Sequence, residues 1–208
     1  MKKEFLDIYD NYNMDIAERE EVHKKGYWHE TFQCWIVKKE NEKDFILFQK
    51  RQKSKKTFPD KFDITAAGHL IAGEGPEDGI RELTEELGIN AAFEDLTHAF
   101  VIEQVLYGED FIDKEYCNVF LYKCDKELKD YKLQLEEVSG LVKIELKDII
   151  KLFNDEIKYV SAEGILLDDY GNKSDVNLDL YKEDFVPHNN GYYEKIFEAA
   201  ERYLVEGK

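Results

Sequence analysis

Apolar and polar residues alternate along much of this chain, and in three places the spacing changes to that of a helix. Residues 4–13, EFLDIYDNYN, alternate and close on an Asn-rich turn signal, which predicts a short strand or hairpin arm. TFQCWIV (31–37) and FILFQKR (45–51) are rich in β-branched and aromatic residues and flank the polar turn KKENEKD, so they read as a hairpin. FEDLTHAFVIEQVLYG (93–108) and EYCNVFLYKC (115–124) predict two more strands joined by the acidic loop EDFIDK, and LQLEEVSGLVKIEL (133–146) continues the alternation. Helical spacing appears at Ile80, Leu83 and Leu87, at Ile149, Ile150 and Phe153, and at Tyr193, Ile196, Phe197, Ala200 and Leu204. The segment 159–188 is polar and dotted with Gly, Asn and Asp, and its pattern assigns no element.

The first of these helices organises the rest. It follows a small, apolar, glycine-bearing stretch, ITAAGHLIAG, whose backbone must approach something closely. Pro76, Glu77 and Asp78 form its start signal, and Gly88 ends it. Opposite the apolar side stand Glu82, Glu85 and Glu86, at i, i+3 and i+4, where Cβ atoms lie about 5–6 Å apart. An acidic helix face is often only a solvated one. Here the acids sit within a longer pattern of a glycine loop, Glu74, and Arg81 beside Glu82, so a cation is the expected partner.

Composition narrows the choice of ligand. With 43% hydrophobic residues, 208 residues can bury a sizeable core, and one domain is expected across 1–208: a core of about 28–165, an N-terminal arm (1–27) and a C-terminal extension with a helix (166–208). Lys plus Arg is 29 and Asp plus Glu is 46, giving 29 − 46 = −17, which disfavours nucleic-acid polymers and anionic membranes. A small phosphorylated anion still fits if divalent cations bridge it to carboxylates. Within the acidic chain, Lys50, Arg51, Lys53, Lys55, Lys56 and Lys61 fall inside twelve positions, a local reversal of charge. Three cysteines without CxxC spacing, and no run near the roughly 18 apolar residues of a membrane span, predict a cytoplasmic protein. Oligomeric state stays open, a homodimer among the options.

The stretch 68–89 resembles the Nudix box, G-x5-E-x7-R-E-U-x-E-E-x-G-U with U aliphatic. Gly68, Glu74, Arg81, Glu82, Leu83, Glu85, Glu86, Gly88 and Ile89 match in kind, but only six residues separate Glu74 from Arg81, one short of the pattern. The resemblance implies an α/β fold, a Nudix-type α/β/α sandwich with a mixed β-sheet. It also implies Mg2+- or Mn2+-dependent hydrolysis of a nucleoside diphosphate derivative or a related small pyrophosphate. On that basis Glu82, Glu85 and Glu86 are metal ligands, Glu82 is a candidate general base beside Glu136, Glu137 and Glu163, and Arg81 orients a neighbouring carboxylate such as Glu74.

Residues 5–165 are also similar to the branch related to type I isopentenyl-diphosphate isomerase. That enzyme carries a proton-transferring cysteine directly before the Gly-His dipeptide, where this chain has Ala67, and it lacks two of the acids kept here. The comparison favours a hydrolase. It further implies a second metal position at His23, His29, His69, Asp113 and Glu115, and phosphate contacts from Arg51 and Lys55.

Overall fold

The computed structural model describes residues 3–10, 13–108, 110–189 and 191–206. An N-terminal hairpin, β1 (Phe5–Asp10) and β2 (Asn13–Glu18), leads through helix α1 (Arg19–Lys25) into the long strand β3 (Trp28–Glu40). The turn signal at Asn11 and Tyr12 lies outside the described residues. β4 (Lys43–Arg51), β5 (Phe62–Asp63) and β6 (Ala66–His69) precede a 3-10 turn (Asp78–Ile80) and α2 (Arg81–Leu87). There follow β7 (Thr97–Tyr107), β8 (Ile112–Lys123), β9 (Val138–Glu145), α3 (Leu146–Phe153), β10 (Val160–Leu167), β11 (Lys173–Leu180) and α4 (Tyr192–Glu206).

The sheet runs β11-β10-β9-β4-β3-β1-β2, with β5 on β4 and β6, β8 and then β7 attached through β3. It is mixed because β3 and β8 pair in parallel, whereas the other pairings are antiparallel. Period-two alternation on β3 explains the layers. Phe32, Cys34 and Ile36 face α2, packing with Leu83 and Leu87. Trp35 and Val37 face the other way, towards Ile149 and Leu152 of α3 and Ile196 and Phe197 of α4. The chain is thus the expected α/β/α sandwich, with α2 on one face and α3 and α4 on the other.

Three stretches differ from the sequence reading. Residues 159–188 hold the β10–β11 antiparallel hairpin, followed by a 3-10 turn (Lys182–Asp184). β11 exposes most of its side chains, so the alternation of Val176, Leu178 and Leu180 is diluted by the polar residues between them. The acidic loop EDFIDK is shorter than expected, since β8 already begins at Ile112. Helix α1 had no apolar stripe to reveal it, because only Val22 is buried.

Candidate functional site

The site lies at the N-terminal end of β3, where β1, β6 and β8 all converge. Thr31 pairs with His69 of β6 and Cys117 of β8, and His29 pairs with Ile8 of β1 and Glu115 of β8. α2 is fixed at its far end by Gly88, left-handed at φ 64°, with the Ile89 N–H reaching back to Leu83 O at 2.9 Å. At its near end the helix packs against β6 so closely that Glu82 occupies the space a Cβ on Gly68 would need.

Glu82 and Glu86 are buried while Glu85 stays exposed. Glu86 accepts from the Ala67 N–H (3.1 Å) and Gln49 Nε2 (3.5 Å). Burial and then the charge of Glu82 push its carboxyl up to about 8, against the pull of Ala67 N–H, Lys55 and Arg51. Burial also raises Glu82, which Arg81 opposes. Two carboxylates held out of water side by side, without enough positive charge nearby, are the donor set that a hard divalent cation takes. Arg81 donates to Glu74 through Nε (3.3 Å) and Nη2 (3.2 Å), to His69 O (2.9 Å) and to Glu82. The paired Arg81–Glu74 contact therefore forms despite the spacing being one residue short. The lead-in at Asp78–Ile80 is 3-10, which rises further per residue than an α-turn.

On the other side of β6, His23, His29, His69 and Asp113 bring one ligand atom each to within 4.8 Å of one another. His23 comes from α1, His29 from β3, His69 from β6 and Asp113 from β8. His29 Nδ1 lies 3.1 Å from the Tyr27 carbonyl, which can only accept, so Nδ1 carries the proton and Nε2 the lone pair. That lone pair faces Asp113 Oδ1 at 3.4 Å, and neither atom has a hydrogen-bond partner. Two acceptors face each other, as they do when a cation sits between them. Burial holds all three imidazoles below their usual range, His23 to about 3 and His29 to about 4. Neutral imidazole is the ligating form, so these residues fit a divalent metal.

Glu115 stands apart from that group. Its Oε2 accepts from Thr31 Oγ1 (3.4 Å), Gln33 Nε2 (3.3 Å) and Cys117 Sγ (3.4 Å), and burial, then Asp113, raise it to about 8. Gln33 is itself fixed from α4, because Tyr192 OH donates to Gln33 Oε1 at 2.6 Å and accepts from Trp35 Nε1 at 3.0 Å. Neither Gln33 nor Tyr192 carries any local sequence signal.

In the basic loop, Arg51 gives its N–H groups to protein acceptors: Asp63 Oδ2 (3.0 Å), Thr57 O (3.2 and 3.0 Å) and Thr57 Oγ1 (3.0 Å). Lys55 pairs with Glu137. Burial and then the Arg51 charge lower the Lys55 pKa, while the charges of Glu86 and Glu82 oppose them. Of the proposed bases, Glu137 lies in the turn that meets the end of α2, its N–H on Gln134 O (2.9 Å) and the Gln134 N–H on Glu86 O (3.0 Å), and Glu136 is exposed. Glu163 pairs with Lys143 (3.2 Å) and lines a separate cavity of about 400 Å³ with Lys38 and Lys126.

A family profile described as the NUDIX domain matches residues 28–162. Over 201 residues the chain is 44% identical to an uncharacterised Nudix hydrolase of Clostridium acetobutylicum, covering 96% of this chain and 98% of that one. Over 146 residues it is 28% identical to a prenyl-diphosphate phosphatase of Methanosarcina mazei, covering 69% and 79%. A solved structure from Deinococcus radiodurans, 14% identical, superposes with a TM-score of 0.55 over 73% of this chain and 90% of that one, a likeness of fold alone.

Proposed function

The chain belongs to the Nudix hydrolase family, and from that premise we propose that it cleaves a pyrophosphate bond in a nucleoside diphosphate derivative or a related small diphosphate, with Mg2+ or Mn2+. The observation that carries this reading is the buried Glu82–Glu86 pair, with Glu86 pushed up to about 8. A bound divalent ion supplies charge neutralisation for the phosphates and lowers the pKa of the attacking water. The chain's own residues then have separate tasks. Glu82, Glu85 and Glu86 hold the ion, Arg81 orients Glu82, and Glu82 can accept the proton of the water. Lys55, paired with Glu137 in the turn that meets α2, meets the negative charge of the substrate. Arg51, with its donors committed to Thr57 and Asp63, serves that contact through the shape of the loop.

A second reading, an isopentenyl-diphosphate isomerase, is favoured by one observation, the imidazole–carboxylate cluster suited to a transition metal. Ala67 opposes it, since a methyl group moves no proton. A panel of nucleoside diphosphate derivatives and prenyl diphosphates, scored for phosphate release after phosphatase coupling and for double-bond migration, separates the two. Under the hydrolase reading Glu86→Gln abolishes phosphate release in a folded protein, and unchanged turnover sinks the metal assignment. Metal analysis of protein purified without chelator tests the second position: wild type carries a transition metal and His29→Ala loses it, whereas background levels in wild type remove the idea.

A further inference from the structure

The chain continues past β11 in a segment that runs back to the basic loop. Its backbone joins β5, with Val186 N–H donating to Phe62 O at 2.9 Å and Phe62 bridging Phe185 in parallel. Lys61, at the end of the loop, donates to Glu183 O. Three residues beyond the bridge, the side chain of His188 is buried, 4% exposed, and stacks on Tyr192 with centroids 4.3 Å apart. Its Nε2 lies 2.8 Å from Asp63 Oδ1, the other oxygen of Asp63 takes Arg51 Nη1 at 3.0 Å, and Arg51 grips Thr57. A hydrogen-bonded chain thus runs from the C-terminal segment to the middle of the lysine loop.

The loop needs holding. Phe58 and Asp60 both have positive φ, 45° and 61°, a conformation that costs a non-glycine residue on the order of 1 kcal/mol or more and persists only where its surroundings enforce it. Lys50 anchors Asp60 at 2.6 Å and Arg51 anchors Thr57, two residues past Lys55, whose own N–H donates to Gln52 O at 3.0 Å. Asp63 is buried between a guanidinium and an imidazole, with the Ile64 N–H also donating to Oδ1 at 2.9 Å, so removing either side-chain donor leaves one side of the carboxylate unsupported.

We propose that His188 is a positioning residue for substrate binding: through Asp63, Arg51 and Thr57 it sets where Lys55 stands against Glu137 and the turn bonded to Glu86, and so tunes affinity for the phosphate groups. This rests on the reading of Lys55 as a phosphate contact. The C-terminal segment is then part of the binding apparatus, although no residue of it need touch the substrate.

His188→Leu keeps the approximate volume and removes the donor, and His188→Gln restores an N–H near the position of Nε2. His188 Nδ1 makes no hydrogen bond, so the contrast between the two variants isolates the bond to Asp63. His188→Leu is expected to raise KM about tenfold, as for loss of one hydrogen bond to a charged group, with kcat falling less. It should also weaken inorganic pyrophosphate binding in calorimetry and speed tryptic cleavage at Lys53, Lys55 and Lys56, with His188→Gln close to wild type in each measure. Wild-type KM and loop protection in His188→Leu, or equal defects in both variants, overturn the proposal. Should His188→Leu fail to fold, Asp63→Asn cuts the same chain at its middle by setting an NH2 group against one of the two donors, Arg51 or His188, and it must loosen the loop and weaken pyrophosphate binding in the same direction. Proteolysis needs no turnover. A loop loosened by His188→Leu in a protein that cleaves nothing in the substrate panel refutes the hydrolase reading and leaves the relay standing, and the reverse pattern refutes the relay alone.

Discussion

Gly68→Ala adds one methyl group where β6 meets α2. The backbone tolerates it, since Gly68 is not among the residues with positive φ. The space does not: the new Cβ would lie 2.0 Å from Glu82 Oε1, 2.3 Å from Cδ and 2.9 Å from Cγ. Ordinary contact begins at 3.4 Å, so the carboxylate must retreat by 3.4 − 2.0 = 1.4 Å. Glu82 can yield by rotating, which takes it off Arg81 and out of line with Glu86. Misplacing a catalytic group by about 1 Å costs roughly 100-fold in rate, so kcat should fall by about two orders of magnitude. Stability should change by less than about 1 kcal/mol, because only the end of a side chain moves. Gly79→Ala is the contrast: its Cβ would meet Phe32 Cβ at 2.4 Å and Cγ at 2.6 Å, in the core, where overpacking costs about 1–3 kcal/mol. That variant should melt earlier and keep its activity per folded molecule. The assay is phosphate release against Mg2+ concentration, paired with thermal melting. Wild-type kcat and metal titration in Gly68→Ala, or activity loss that only tracks unfolding, would refute the steric argument.

Two further outcomes follow from the buried groups. In the metal-free protein burial pushes the Glu86 carboxyl up to about 8 when folded, against an ordinary value of 4.5, so the folded state binds the extra proton between those values. Stability is therefore fully present below about pH 4.5 and is lost as pH rises towards 8; melting in chelator should drop along that range, less steeply in Glu86→Gln, and a flat profile in wild type would contradict the shift. Tyr192→Phe strips the partner from both Gln33 Oε1 and Trp35 Nε1, at a cost of about 1–3 kcal/mol in denaturant unfolding, and an unchanged midpoint would show the pair to be satisfied otherwise.

What the sequence revealed was local. α2 was legible because its apolar spacing, its acids and its closing Gly88 all fall within one continuous stretch, and the Arg81–Glu74 pairing follows from the same window. Helix α1 and strand β11 were not, since each buries too few side chains to leave a period. The histidine cluster was suggested by resemblance, but its assembly depends on β3 pairing with β6 and β8, and on α1 folding over β8, none of which is visible in spacing. Arg51 shows the limit from the other side. The resemblance to the isomerase branch marked it as a phosphate contact, but β5 brings Asp63 beside it and commits its donors within the protein. Gln33, a single polar residue in apolar company, and His188, at the end of a stretch with no period, had no pattern to belong to.

The parallel pairing of β3 with β8 also has a kinetic consequence. His29 and Asp113 are 113 − 29 = 84 residues apart, and their meeting waits for a long loop to close. Parallel, non-local pairing is slow to form. An ion that needs both residues can bind only after this closure, so it cannot speed the search for the native pairing. It acts afterwards, by mass action on the finished fold. Added metal should accordingly lengthen the lifetime of the native state while leaving the rate of refolding nearly unchanged.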